Sequence, residues 1–283
     1  MNLQNDIMIK AESIAAALEE HFSAIDPDTK ELHDAMVYAL SSGGKRIRPY
    51  LTLRFCELFG GKVSDAMPYA CAAEMIHTYS LIHDDLPCMD DDDMRRGKPS
   101  CHKKFGETVA LLAGDALLTE AFTAISANKA LSPEKNAKAV LLLSVAAGAN
   151  GMVGGQIMDL DEKCEGSFER LCKLHANKTG AMIRASVLLG CIAAGVSEDS
   201  DEYKDAALYA EKIGLTFQII DDILDYREGE SAEEKETFLT YLTEEKSYEY
   251  AKKLTNEAVS IIEKYEGSEM LVDFAKYLLD RKI

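Results

Sequence analysis

Helical periodicity over long unbroken stretches is the feature of this 283-residue chain that most restricts its fold. Apolar residues recur at three- and four-residue spacing across roughly 3–22, 28–41, 47–59, 65–84, 107–127, 134–150, 151–162, 168–194, 199–227, 245–265 and 268–281. Strand-like alternation is not evident. The breakers fall between these segments, at Asp26-Pro27, Gly43-Gly44, Gly60-Gly61, Gly97-Lys98-Pro99, Ser132-Pro133 and Gly195. Ser132, with Glu134 nearby, and Ser64-Asp65 read as helix starts. With only 6 prolines, no tryptophan and 47% hydrophobic residues, the composition favours an all-α protein with a large core. No linker-like stretch divides it, so the chain reads as one domain, 1–283.

Two aspartate-rich segments interrupt the apolar pattern. The first is His83-Asp84-Asp85-Leu86-Pro87-Cys88-Met89-Asp90-Asp91-Asp92-Asp93-Met94-Arg95-Arg96-Gly97, and the second is Phe217-Gln218-Ile219-Ile220-Asp221-Asp222-Ile223-Leu224-Asp225. Six carboxylates packed so closely repel one another unless cations sit among them. Asp221 and Asp225 are four apart and project from one helix face, one turn apart, while Asp222 points elsewhere. A solvated acidic face is the plain alternative, and the apolar flanks Phe217, Ile219, Ile220, Ile223 and Leu224 argue against it. Asp84 and Asp90 are six apart, and only a bulge or helix end at Pro87 would align them. Magnesium takes a few carboxylates together with phosphate and water oxygens. A calcium-binding EF-hand fails here: with Asp92 first, Met94 and Arg96 fall at the third and fifth positions and Lys103 at the twelfth.

Basic groups lie beside the acidic ones. Arg95 and Arg96 follow the first segment and are suited to bidentate grip on phosphate, unless they pair with Asp92 and Asp93. Gly43-Gly44-Lys45-Arg46-Ile47-Arg48-Pro49 sets glycines and three cations at a helix start. Lys178-Thr179-Gly180 interrupts an apolar helix, where the glycine points to a kink and the lysine either serves a site or snorkels. His77 lies two turns before Asp84 on roughly the same face. Acidic walls with arginines beside them point to a site where magnesium holds a diphosphate.

These residues resemble the trans-isoprenyl diphosphate synthases, most closely the bacterial-type farnesyl diphosphate synthases. The likeness runs from about Gly43 to Lys235. It rests on residues 43–49, on Leu81 through Pro99, on Ala113-Gly114-Asp115-Ala116-Leu117, on Gly154-Gly155-Gln156 with Asp159, on Lys178-Thr179-Gly180, and on Phe217 through Asp225. The resemblance implies an all-α bundle around a central cavity, usually a homodimer. It also implies head-to-tail condensation of an allylic diphosphate with isopentenyl diphosphate, with three magnesium ions. Carried over by position, Asp84, Asp85, Asp90, Asp221 and Asp225 are the implied metal ligands. Lys45, Arg48, His77 and Arg96 are the implied isopentenyl diphosphate grip. Arg95, Lys178, Thr179 and Gln218 are the implied allylic diphosphate contacts, with Gln156 nearby. The family's Gly-Lys after the second motif is missing: Asp225 is followed by Tyr226 through Glu234, and Lys235-Glu236-Thr237-Phe238 resembles the later Lys-x-Thr-aromatic signature. Lys235 is therefore expected to serve the diphosphate with Arg95 and Lys178.

Product length should depend on the helix ending at Asp84. Tyr79 lies five residues upstream, about 7.5 Å along a helix axis. Periodicity alone favours Ser80, and the resemblance favours Tyr79 as the floor, as in fifteen-carbon synthases. A same-fold rival, a terpene cyclase, lacks support because Asp221-Asp222-Ile223-Leu224-Asp225 does not follow the cyclase pattern. A different-class rival, a non-catalytic partner subunit, has only the shortened loop in its favour. The net charge of −18 disfavours nucleic acid and anionic membrane surfaces as partners. Seven cysteines (Cys56, Cys71, Cys88, Cys101, Cys164, Cys172, Cys191) without a CxxC pair, and a first segment unlike a signal peptide, read as cytoplasmic. No run of 18 apolar residues is present, so stable membrane insertion is not expected.

Overall fold

The computed structural model describes residues 2–24, 26–161, 166–228 and 236–281. They form an all-α protein. The helices are α1 (Leu3–His21), α2 (Lys30–Leu40), α3 (Ile47–Leu58), α4 (Val63–Asp84), α5 (Cys101–Phe105), α6 (Glu107–Ser126), α7 (Pro133–Ala147), α8 (Met152–Asp159), α9 (Phe168–His175), α10 (Ala181–Ala194), α11 (Asp201–Glu228), α12 (Phe238–Tyr241), α13 (Glu244–Ile262) and α14 (Glu269–Leu279). A π-helical turn, Ala176–Gly180, joins α9 to α10 at the kink expected from Lys178-Thr179-Gly180.

Helix α10 is the axis of the molecule. From Met182 to Ala193 all but Arg184 are buried, as an apolar run without a polar face requires. It packs on α3, α4, α7 and α11. The α3 contact is close: a Cβ at Gly190 would strike the Thr52 carbonyl, and the Thr52 hydroxyl donates to Ser186 O at 2.8 Å. Helix α4 is buried along most of its length against α3 and α6 and ends at Asp84. Helix α11 packs on α10 and α13 and carries the second aspartate segment at its C-terminal end. The buried apolar side chains of α4, α6, α7 and α10 form one cluster, and those of α3, α10, α11, α13 and α14 form another.

Two sequence expectations need correction. Met94–Arg95 (β1) and Lys98–Pro99 (β2) pair as a short antiparallel hairpin. Strands two residues long carry no alternation to read, and only the positive φ of Arg96 (53°) and Gly97 (76°) marks the turn. Helix α6 and the stretch 133–159 are also long and apolar enough to cross a membrane by length and composition, although no strict apolar run was present. In this fold α6 packs against α4 and α2 through Ala110, Ala113, Leu117 and Ala121.

Candidate active site

The first aspartate segment turns at the C-terminus of α4. Leu86 N bonds His83 O at 3.1 Å, and the chain then doubles back so that Asp90 N donates to Asp84 O at 2.9 Å. This backbone bond performs the alignment of Asp84 with Asp90 that a regular helix could not. Burial, with the charges of Asp90 and Asp85, pushes Asp84 up to about 6 against the pull of Lys178 and Arg95. Asp85 is only 2% exposed and pairs with Arg95, whose Nε donates to Asp85 Oδ1 at 2.8 Å and whose Nη2 reaches Asp92 Oδ2 at 2.9 Å. Of the pairs expected in the alternative, only Arg95–Asp92 forms among the described residues, and the main partner of Arg95 is the buried Asp85. Arg96 instead reaches across to Gly43 O, and a Cβ at Gly44 would collide with its guanidinium. Gly44 is thus explained by close approach to Arg96, and Gly43 by its left-handed φ of 86°.

Of the three cations in that stretch, Arg46 is internal: it sits at φ 50°, paired with buried Glu74 and with Leu40 O. Lys45 lies 5.6 Å over the Tyr277 ring. Arg48 is held below the usual arginine value by burial and by Arg96, and its Nε lacks a protein partner. Burial and the charges of Arg48, Arg96, Arg46 and Arg95 hold His77 well below its ordinary value, so at neutral pH it is an uncharged imidazole facing guanidiniums. A cluster of cations with an unsatisfied N–H and a neutral imidazole is suited to an anion.

The second segment lies on the last turns of α11. Burial raises Asp221, opposed by Arg281, Lys45 and Arg48. Arg281 forms an ion pair with Asp221 Oδ1 and stacks 4.5 Å from the centre of the Phe217 ring. Asp222 accepts from Phe238 N at 2.7 Å, and burial with the charges of Asp225, Asp221 and Asp159 pushes it up to about 7. Asp225 is exposed. Gln218 Nε2 lies 3.5 Å from Asp221 Oδ2, and Gln218 Oε1 lies 3.0 Å from His175 Nδ1.

The π turn joins the two segments. Lys178 Nζ donates to Asp159 Oδ2 at 2.6 Å, and its charge reaches Asp84. Gln156 Nε2 donates to Asp84 Oδ1 at 3.1 Å. Thr179 is buried on the same turn. A Cβ at Gly155 would strike the Lys178 backbone, which explains the small residue where α8 crosses the turn. Beneath Asp84, Tyr79 is 5% exposed, its ring edge-on to His83 at 5.7 Å, and burial and Asp84 push its phenol up to about 12. Ser80 is half-buried and spends its hydroxyl on His77 O at 2.9 Å.

The structure thus groups Arg48, His77 and Arg96 on one side and Asp84, Asp90, Gln156 and Lys178 on another, while Asp221 lies within electrostatic reach of Lys45 and Arg48 and beside Gln218. Lys235 lies outside the described residues. Sequence reasoning missed Arg281, which no local motif announces, and gave Asp159 no role although it stands in the Gly154-Gly155-Gln156 … Asp159 stretch. The residues fit magnesium: burial raises Asp84 to about 6 and Asp222 to about 7, which a bound cation would offset, and Asp221 relies on an arginine.

Comparison with known proteins accords with this geometry. Residues 29–266 match the family model described as polyprenyl synthetase. A chloroplastic geranylgeranyl pyrophosphate synthase from Catharanthus roseus is 43% identical over 287 residues, covering 96% of this chain and 79% of that protein. The large subunit 1 of a heterodimeric geranylgeranyl pyrophosphate synthase from Arabidopsis thaliana is 42% identical over 98% of this chain and 78% of its own length. Among solved structures, an FPP/GFPP synthase from Zymomonas mobilis superposes with a TM-score of 0.91 at 35% identity, covering 98% of this chain and 99% of that one.

Proposed function

The chain belongs to the polyprenyl synthetase family, the trans-isoprenyl diphosphate synthases, and is a prenyltransferase; within that family we propose that it makes farnesyl diphosphate by condensing isopentenyl diphosphate with dimethylallyl and then geranyl diphosphate. The observation that carries the fifteen-carbon product is Tyr79, buried beneath Asp84 and braced edge-on by His83, where a bulky ring limits the depth open to a growing chain. The name of the Zymomonas mobilis structure, which includes FPP, agrees with it. A twenty-carbon product is the second reading, favoured by the geranylgeranyl pyrophosphate synthases at 42–43% identity.

In this reading Lys45, Arg48 and Arg96 hold the isopentenyl diphosphate, and His77 donates to it as a neutral ring. Arg95, Lys178 and Thr179, with Gln156, Gln218 and Lys235, hold the allylic diphosphate. Asp84, Asp85, Asp90, Asp221 and Asp225 would hold three magnesium ions, which when bound take up charge on the departing diphosphate. The allylic C–O bond breaks toward the cations, the isopentenyl double bond attacks the allylic carbon, and a proton passes to the released diphosphate. Arg95 and Lys178 stabilise that leaving group from fixed positions, so they need not reorganise during the reaction. Helices α6, α7 and α8 pack in sequence and expose Leu111, Leu112, Leu141, Val145, Val153 and Ile157, a face suited to the homodimer expected from the resemblance.

The test is incubation with geranyl or dimethylallyl diphosphate, isopentenyl diphosphate and magnesium, with chromatography of the products. Fifteen-carbon product is expected. A dominant twenty-carbon product would replace this reading with the second, and no condensation would overturn both.

A further inference from the structure

A second group of ligand-type side chains lies on the outer side of the first segment, and the site described above uses none of them. Asp91 and Asp93 are exposed at the entrance to the hairpin, and His102 is buried just beyond its exit, on α5. One oxygen of each carboxylate and one imidazole nitrogen all lie within 4.8 Å of one another. An exposed acidic pair alone would mean nothing. The informative group is His102: it is 5% exposed, and its Nε2 has no hydrogen-bond partner. That atom lies 3.9 Å from Asp91 Oδ1, too far for a hydrogen bond. The other ring nitrogen, Nδ1, lies 3.0 Å from Ser100 Oγ. With the proton on Nδ1 and donated to the hydroxyl, Nε2 presents a lone pair to a carboxylate that can only accept. Two acceptors facing each other at this separation are reconciled by a cation between them.

We propose that Asp91, Asp93 and His102 form a separate site for a borderline-soft divalent cation of the zinc class, which staples the base of the arginine hairpin. The imidazole decides the class, because magnesium prefers an all-oxygen shell whereas imidazole suits zinc and its neighbours. Ligand bonds of about 2.0–2.2 Å require the three atoms to draw together somewhat. The two exposed aspartates can do so by side-chain rotation. The present occupant of Asp93 is Lys103, 2.7 Å away in an exposed pair that is easily displaced. The hairpin base is already closed by Ser100 N donating to Asp93 O at 2.9 Å. A cation joining residues 91 and 93 to residue 102 would add a cross-link around Arg95 and Arg96.

The site is tested on the full chain in saturating magnesium, which fills all-oxygen sites, by titration with Co2+ as a spectroscopic stand-in. One equivalent of Co2+ is expected to bind with visible d–d absorption and to slow amide exchange across residues 91–102. Asp91→Asn and Asp93→Asn, both at exposed positions that leave folding intact, should each weaken Co2+ binding about tenfold or more. Lys103→Ala should strengthen it. Absence of Co2+ uptake above the magnesium sites, or uptake unchanged in both aspartate variants, would overturn the proposal. Neither readout depends on condensation, so the result is separate from that of the product assay.

Discussion

The first aspartate segment balances Asp85, Asp92 and Asp93 with its own neighbours and only Asp84 with distant Gln156 and Lys178, whereas the second draws both Asp221 and Asp222 to residues far along the chain. Arg95 serves Asp85 and Asp92 from ten and three residues away, and Lys103 serves Asp93. Asp221 is paired with Arg281, sixty residues on, and Asp222 with the amide of Phe238, sixteen residues on. The first segment is a preformed loop closed by local backbone bonds. The second is assembled only when α11, α12 and the region after α14 have come together. Segments of similar composition therefore differ in what they need from the rest of the fold.

The largest expected effect tests whether they are nonetheless halves of one site. Asp84→Asn and Asp221→Asn should each lower condensation about 10²–10³-fold in kcat, measured by steady-state incorporation with folding checked by circular dichroism. A loss confined to one variant would separate the segments. Tyr79→Ala should leave both aspartate segments intact and lengthen the product by at least one five-carbon unit, read by chromatography. An unchanged product spectrum would remove Tyr79 as the floor.

In the metal-free protein the pH dependence reports the buried carboxylates, Asp222 above all. Asp222 is raised in the folded state to about 7, so the native protein holds its proton more tightly than the unfolded chain. Stability is then full below the ordinary carboxylate value and is lost as pH rises through about 7. Asp222→Asn should flatten this fall by about 2–3 kcal/mol in denaturant titrations from pH 5 to 8. The same slope in the variant would place the effect elsewhere. The smallest expected change is that of Arg281→Gln, which should cost the metal-free protein about 1–2 kcal/mol and cost less once magnesium and diphosphate are present. A penalty independent of added magnesium would show that Arg281 is not exchanging with metal at Asp221.

The helical class was plain from the sequence because the core runs of α4 and α10 have no strand-like reading. The kink at Lys178-Thr179-Gly180 was legible through its glycine, although its π-helical form was not. The hairpin was invisible to periodicity, which needs more than two residues per strand. In the site, Arg96 and Gly43-Gly44 were both noticed, but their contact spans fifty-three residues and only the packing joins them. Arg46 read as one of three cations at a helix start; its burial against Glu74 depends on where α4 passes. Arg281 lies in a segment whose role is set wholly by proximity to Phe217 and Asp221.

The wide turn at Ala176–Gly180 bears on which insertions and deletions this chain can tolerate. Removing one residue there would restore a regular helix and rotate everything from Ala181 onward by about 100° relative to α9. The face of α10 that meets α3 would leave its partner, and Lys178 would swing off Asp159 together with it. A length change of one residue in these five is thus a change of the whole interior. The segment after the second aspartate run, by contrast, lacks the Gly-Lys that the resemblance leads one to expect there, in a chain that keeps both aspartate segments. Variation in length should therefore accumulate beside the second segment and be excluded from the hinge between α9 and α10.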